Sequence, residues 1–122
     1  MYLTHAKIFF VEDDEILAKV IEWRLNKLGY TICGKATNGV DAIEMIPKAE
    51  PDIVLLDIEL KGHMDGISVG EYLHTKTKIR FIYLTSHTEP EILKRAMKTK
   101  PEGYIRKPFS DDDLRIGIEL AL

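Results

Sequence analysis

The sequence predicts an α/β fold, a doubly wound parallel sheet of five strands with helices on both faces. Five short apolar runs alternate strictly with five segments of helical periodicity along the whole chain. Two of the runs, IVLL and FIYL, are apolar at every position, which is typical of central strands in a parallel sheet. Parallel neighbours need crossover connections, and the intervening helices supply them.

The first strand (β1) is predicted over residues 8–11, where IFFV is rich in strand formers. The first helix (α1) follows, and Gly29 ends it. Its apolar side chains recur at spacings of one, three and four residues and form one stripe: Ile16, Leu17, Val20, Ile21, Leu25 and Leu28.

The second strand (β2) is predicted over residues 31–36, and its polar residues indicate an edge position. Asn38 and Gly39 form the turn into the second helix (α2), which is predicted to run to about Ile46. Pro47 lacks an N–H, so we expect an early or distorted last turn there.

The third strand (β3) is predicted over residues 53–56, and a glycine-containing loop leads from it to a helix (α3) over residues 67–74. Residues 81–84 form the fourth strand (β4). Thr88 is followed by Pro90 in the first helical turn and by Glu91 three residues later. This spacing predicts a capping-box start for a fourth helix (α4), which runs to about residue 98.

The fifth strand (β5) is predicted over residues 103–105. Ser110 then begins the last helix (α5), and three successive aspartates follow it where the helix dipole favours negative charge.

The bulk properties predict one domain over residues 1–122 and exclude several classes of protein. Of the residues, 45% are hydrophobic and 30% charged, with both signs interspersed and a net charge of −3. This balance argues against direct nucleic-acid binding or membrane association. The single cysteine, Cys33, excludes an internal disulfide and is expected to be a small core residue. We expect a cytoplasmic protein.

Polar side chains follow four of the predicted strands at the point where each ends. Because the carboxyl ends of parallel strands meet at one sheet edge, we expect these side chains to converge in one crevice. They are the Glu12-Asp13-Asp14 run, Asp57, the Thr85-Ser86 pair and Lys107.

These residue types limit the chemistry of that crevice. Crowded carboxylates repel each other unless a cation joins them, and an oxygen-only donor set suits Mg²⁺. Lys107 and the Thr85 hydroxyl suit phosphate oxygens, and a carboxylate can accept a phosphoryl group as a nucleophile. Asp14 fits two roles equally well, a cap of α1 or a part of the metal site.

The segments KIFFVEDDE, PDIVLLDIEL, MDGI, FIYLTS and GYIRKPF, in this order, resemble the receiver domains of two-component response regulators. The resemblance covers the chain from Lys7 to the last helix. It implies a (βα)5 fold of flavodoxin-like strand order 2-1-3-4-5.

The resemblance also implies roles for the acidic residues. Asp57 matches the phosphoacceptor and contributes a carboxylate oxygen to the metal. Asp13 matches the direct metal ligand and Glu12 a ligand acting through water, while Glu59 is expected to offer its backbone carbonyl. The loop after Asp57 is one residue longer than the common form.

Three further residues acquire roles in the same way. Thr85 matches the switch hydroxyl, and Lys107 matches the phosphate-binding lysine, before a Pro108 whose peptide bond is expected to be cis. Tyr104 matches the aromatic residue that changes rotamer when the threonine moves. Residues 98–102 stand where the family has a small Gly-Ala sequence.

The implied function is a phosphorylation-dependent switch rather than an enzyme acting on other molecules. A sensor histidine kinase or phosphotransfer protein would donate the phosphoryl group to Asp57 with Mg²⁺ present. The surface formed by α4, β5 and α5 would change and act on an output domain or target protein. A phosphorylation-dependent dimer through that surface is a further expectation.

Two other functions compete with this one. Asp57-Ile58-Glu59 mimics the D-x-D motif of phosphatases with an aspartate nucleophile, although such a nucleophile usually follows the first strand. The other is a degenerate receiver that serves only as an interaction module. Such a domain would be expected to lack the acceptor, the acidic pair or the lysine.

Overall fold

The computed structural model describes residues 5–86 and 89–122 and has the predicted alternation of strands and helices. In chain order, the elements are β1 (Lys7–Val11), α1 (Glu15–Lys27), β2 (Thr31–Ala36), α2 (Gly39–Ala49), β3 (Ile53–Asp57), α3 (Gly66–Lys76), β4 (Arg80–Thr85), α4 (Pro90–Met97), β5 (Gly103–Arg106) and α5 (Asp111–Ala121).

The strands form one parallel sheet in the order β2-β1-β3-β4-β5, which confirms the predicted architecture. From β1 the chain first moves outward to β2 and then returns to β3 on the other side of β1. The strand order therefore reverses between β1 and β3, and a crevice opens there at the carboxyl ends of the strands.

The central strands are apolar at successive positions because each of their faces lies in a core. Ile8 and Phe10 of β1 point into the layer that also contains side chains of α1 and α5. Phe9 and Val11 point into the opposite layer, beneath α2 and α3. The second layer also receives the half-buried Cys33, and burial raises the pKa of its thiol.

The prediction for the end of α2 was wrong, because the helix continues through Pro47 to Ala49. Proline costs a helix one N–H hydrogen bond and crowds the carbonyl four residues earlier, and here only Lys48 and Ala49 follow it in the helix. Glu50 then adopts the left-handed conformation with φ 49°, and this residue ends the helix.

The predicted starts of α4 and α5 compare differently with the structure. Helix α4 begins at Pro90 with Glu89 as the N-cap residue. The predicted start, with Thr88 as the N-cap and Glu91 three residues on, was therefore one residue too early. Thr88 and the neighbouring His87 themselves lie outside the described residues. Helix α5 begins after Ser110 as predicted, and Ser110 forms a reciprocal capping box with Asp113.

The connection from α4 to β5 is tied to the sheet by a buried hydrogen bond. Lys100 takes a left-handed φ of 56°, and Thr99 lies buried just before it. The Thr99 hydroxyl donates to the Ala96 carbonyl at 2.6 Å, so the Tyr83 hydroxyl donates to Thr99, also at 2.6 Å. Burial raises the pKa of Tyr83 to about 12.

The peptide bond between Lys107 and Pro108 is cis, as expected. Across residues 5–86 and 89–122, every helix is too short or too polar to reach across a lipid bilayer.

Candidate functional site

Three carboxylates meet at the crevice between β1 and β3. Glu12 and Asp13 directly follow β1, and Asp57 is the last residue of β3. Glu12 and Asp57 are almost completely buried, with 1% and 2% of their surface exposed, whereas Asp13 is half-buried. One oxygen from each side chain lies within 4.8 Å of the others. The convergence expected from the parallel topology is therefore present.

Gly66, the first residue of α3, determines how closely that helix approaches the end of β3. A Cβ atom at this position would overlap the carbonyl oxygen of Asp57. The Gly66 N–H also donates to the Ile58 carbonyl at 3.1 Å. Glycine is therefore required here for close backbone approach rather than for a turn.

Lys107 arrives from the end of β5 and contacts two of the carboxylates at once. Its Nζ lies 3.1 Å from Glu12 Oε1 and 3.2 Å from Asp57 Oδ1. The Lys107 backbone N–H donates to the Thr85 carbonyl at 2.9 Å, which joins the ends of β4 and β5. One ammonium group thus balances part of the charge of a crowded acidic pair.

The electrostatics of the site follow from this crowding. Burial, together with the hydrogen bond and charge of Asp57, raises the pKa of Glu12 to about 7, against the opposing effect of Lys107. Burial alone would lower the pKa of Lys107, but the charges of Asp57 and Glu12 outweigh it and raise that pKa. Glu12 therefore takes up a proton more easily than an ordinary glutamate does, while the raised pKa of Lys107 keeps its ammonium charged.

Backbone N–H groups hold one oxygen of each carboxylate, a feature that the sequence reasoning missed. Asp14 donates to Glu12 Oε2 at 3.2 Å, Glu59 to Asp57 Oδ1 at 2.9 Å and Lys61 to Asp13 Oδ2 at 3.0 Å. Two of these donors come from the loop after β3. A backbone amide has no side-chain signature, so residue types could not reveal them.

Thr85 ends β4 and is buried, with 1% of its surface exposed, at the same edge of the sheet. The next residue, Ser86, donates its hydroxyl to Glu59 Oε1 at 2.6 Å. This contact links the loop after β3 to the loop after β4. The sequence contained Ser86 at a strand end, but only the fold shows its partner.

Of the two roles that the sequence left open for Asp14, capping α1 or joining the metal site, the structure shows the capping role. Its side chain accepts hydrogen bonds from the N–H groups of Ile16 and Leu17, at 2.9 and 3.1 Å. The cluster of carboxylates able to share a cation consists of Glu12, Asp13 and Asp57. Asp14 therefore begins α1 and leaves the cluster to the other three acids.

Tyr104 lies on β5, away from the carboxylates and largely exposed, at 63% of its surface. It lines a groove between β5 and α5 together with Arg106, Asp113, Ile116 and Leu120. The structure therefore places Tyr104 in an exposed groove between β5 and α5. Its rotamer change and the Glu59 carbonyl as a metal ligand stay predictions.

The donor set fits a hard divalent cation. Three carboxylates supply only oxygen, two of them are buried, and their own backbone contacts already fix their orientation. Mg²⁺ is commonly held by one or two carboxylates plus waters and phosphate oxygens, and the half-buried Asp13 places this cluster at the protein surface, where such ligands are available.

The comparisons with known proteins agree with this geometry. The response regulator receiver domain model matches residues 8–119. The transcriptional regulatory protein PdtaR of Mycobacterium tuberculosis is 29% identical over 116 residues, which are 95% of this chain and 56% of PdtaR. The chain thus spans about half the length of the curated relatives it matches.

Solved receiver structures are similar over nearly the whole chain. The signal receiver domain of a modulated diguanylate cyclase from Desulfovibrio desulfuricans G20 is 34% identical with a TM-score of 0.90, covering 96% of this chain and 93% of that one. The N-terminal domain of a response regulator/sensory box/GGDEF 3-domain protein from Carboxydothermus hydrogenoformans is 33% identical with a TM-score of 0.82, covering 94% and 92%. The chemotaxis protein CheY4 of Vibrio cholerae, at 23% identity, TM-score 0.85 and coverage of 97% and 99%, supports the fold alone.

Proposed function

The chain belongs to the response regulator receiver domain family, and from that premise we propose that residues 1–122 form one receiver domain that is phosphorylated on Asp57. One observation carries the assignment to this residue. The buried Asp57 carboxylate, at the strand-order reversal, lies close to two further acids that could share a cation with it and 3.2 Å from the Lys107 ammonium group. Each of these three parts comes from a different strand.

The proposed reaction is a phosphoryl transfer from phosphohistidine. An oxygen of the Asp57 carboxylate forms a bond to phosphorus while the bond from phosphorus to the imidazole nitrogen breaks. The electron pair leaves with the imidazole. The ammonium group of Lys107, already 3.2 Å from Asp57, would contact the phosphoryl oxygens and stabilise the negative charge on the transferring group.

A Mg²⁺ ion is proposed as the cofactor, held by Asp13 and Asp57 directly and by Glu12 through water, with the Glu59 carbonyl as a further ligand. When bound, it would neutralise the crowded carboxylates and the incoming phosphoryl charge. The fit of the oxygen donors supports this proposal.

The proposed switch runs from Thr85 to the α4–β5–α5 surface. A phosphoryl group adds roughly −1.5 to −2 charge and would attract the Thr85 hydroxyl. Thr85 pairs with Arg106 of the neighbouring strand β5, and Tyr104 lies two residues before Arg106 on that strand. Tyr104 would then change rotamer. The exposed apolar residues of this surface support an interaction role there: Met97, Tyr104, Ile116 and Leu120.

The proposed partners are a sensor histidine kinase or phosphotransfer protein as donor, and an output domain or target protein as recipient. Relatives carry different outputs, including a transcriptional regulator and a diguanylate cyclase, so the similarity does not select one. A phosphorylation-dependent dimer through α4–β5–α5 is proposed as one form of output. The single cysteine fits the reducing cytoplasm as the proposed location.

Labelling with a small acyl phosphate and Mg²⁺ tests the central assignment. Intact mass spectrometry should show one added phosphoryl group on the wild type and none on Asp57→Asn. Hydroxylamine should remove the group, because it cleaves acyl phosphates and leaves phosphoesters intact. The exposed Asp112→Asn serves as the matched control and should label like the wild type.

Two results would contradict parts of the proposal. Equal labelling of Asp57→Asn would exclude Asp57 as the acceptor, and labelling that persists in chelator would exclude the cation requirement. Sustained turnover of a free phosphoester would instead favour the phosphatase alternative. That alternative draws on the D-x-D pattern of Asp57 and Glu59, but in this structure Ser86 holds the Glu59 carboxylate.

A further inference from the structure

The loop between β3 and α3 contacts the acidic cluster through its backbone. At its start, the Glu59 N–H donates to Asp57 Oδ1 at 2.9 Å. Further along, the Lys61 N–H donates to Asp13 Oδ2 at 3.0 Å, a contact between residues 48 positions apart. At its end, Asp65 caps α3 by accepting from the Ser68 N–H at 2.8 Å.

The contact from Lys61 matters most for Asp13, because Asp13 is the most exposed acid of the cluster. Glu12 and Asp57 are enclosed by the protein, and Glu12 is also fixed by Lys107 and by the Asp14 N–H. Asp13 stands half-exposed at the rim, where an aspartate side chain is free to rotate into solvent. A charge-assisted hydrogen bond to one oxygen fixes that rotation and directs the other oxygen.

The conformation of the loop brings this donor into place. Gly62, next to Lys61, has a φ of 102°, a conformation that residues with a Cβ rarely adopt. Buried Ile58 and Leu60 anchor the chain on either side of the exposed Glu59. The direction of the Lys61 N–H is therefore set by buried side chains on one side and by a left-handed glycine on the other.

We infer that the backbone N–H of Lys61 is a positioning group for the cation site. It holds Asp13 Oδ2 so that Asp13 Oδ1 is presented to the cation, and the loop thereby sets the affinity of the site. This inference rests on the proposed function, since it assumes that the cluster binds a divalent cation. Outer contacts of this kind change metal affinity by roughly tenfold to a hundredfold when they are removed.

Cation binding by matched variants tests the inference, with Mn²⁺ as the probe and free Mn²⁺ measured by electron paramagnetic resonance. Lys61→Pro removes the N–H, whereas Lys61→Ala removes only the exposed side chain. Lys61→Pro should bind Mn²⁺ roughly tenfold to a hundredfold more weakly than the wild type. Lys61→Ala should bind like the wild type.

A second pair of variants tests the loop without introducing proline. Alanine at Gly62 or at Gly103 would meet no atom within 4 Å, but only Gly62 has a positive φ. Gly62→Ala should therefore shift the loop and weaken Mn²⁺ binding, while Gly103→Ala at the start of β5 should not. This pair decides the matter if Lys61→Pro fails to fold.

Amide hydrogen exchange gives a readout that is independent of affinity. In the wild type, the Lys61 amide should stay protected when Mg²⁺ is added, because the cation and the N–H use different oxygens of Asp13. Loss of that protection, or wild-type affinity in Lys61→Pro and Gly62→Ala, would overturn the inference. Failure of the wild type itself to bind a divalent cation would instead overturn the cation site in the proposed function.

Discussion

The raised pKa of Glu12 predicts how the stability of the cation-free protein depends on pH. The pKa of Glu12 is about 7 in the folded state and has its ordinary value of 4.5 in the unfolded chain, so between these pH values the folded state holds a proton that the unfolded chain has lost. This contribution to stability is fully present below the lower value and is lost as the pH rises through the upper one. With these two values, the linkage relation gives a loss of roughly 2 kcal/mol between about pH 5.5 and pH 8.

The substitution Glu12→Gln isolates this effect. Glutamine stays neutral at every pH, can still accept from Lys107 and can donate to Asp57, so it mimics the protonated glutamate. Urea unfolding in chelator, repeated across this pH range, should show the variant to be more stable than the wild type by roughly 3 kcal/mol near pH 8. The advantage should shrink as the pH falls.

The difference between the two proteins is the decisive quantity, because histidines and other groups remote from Glu12 contribute equally to both curves, whereas Asp57 and Lys107 interact directly with Glu12. A difference that stays constant across the pH range would refute the assignment of the raised pKa to Glu12. Adding Mg²⁺ should reduce or reverse the variant's advantage near pH 8, because the wild type gains stability by binding the cation through a charged Glu12.

Three further substitutions test other contacts. Tyr83→Phe removes the buried hydrogen bond to Thr99 and should cost about 1 kcal/mol in urea unfolding; the tyrosine with a pKa of about 12 should disappear from an absorbance titration. Gly66→Ala should cost roughly 1–3 kcal/mol and slow labelling of Asp57, since its Cβ overlaps the Asp57 carbonyl; labelling at the wild-type rate would contradict that close approach. Ser110→Ala should cost about 1 kcal/mol through loss of the α5 cap, and an unchanged urea midpoint would show that the cap contributes nothing.

Much of the fold could be predicted because apolar residues follow clear patterns along the chain. Central strands such as β3 are buried on both faces and read as continuous apolar runs, so their existence and parallel pairing followed from the pattern. The end of α2 could not be predicted in this way. Proline breaks a helix in its interior, but Pro47 lies near the carboxyl terminus of α2. The loss of one hydrogen bond is small there, and packing decides where the helix ends.

The acidic site was predictable for a topological reason. Glu12 and Lys107 directly follow strands and Asp57 ends one. Parallel strands bring their carboxyl ends to one edge, so strand positions alone placed these residues together. The finer contacts depend on loop conformation. The Ser86 hydroxyl finds Glu59, and the Lys61 amide finds Asp13, only after the loops have folded.

The ion pair between Lys107 and Glu12 joins residues that lie 95 positions apart. During synthesis on the ribosome, β1 and β3 emerge well before β5, so the acids are made long before their cationic partner. Contacts of such separation form late, after the intervening chain has closed. A nascent or truncated chain that lacks β5 would therefore present unbalanced acids instead of a working acceptor, and competence for phosphorylation would report that β5 has joined the sheet.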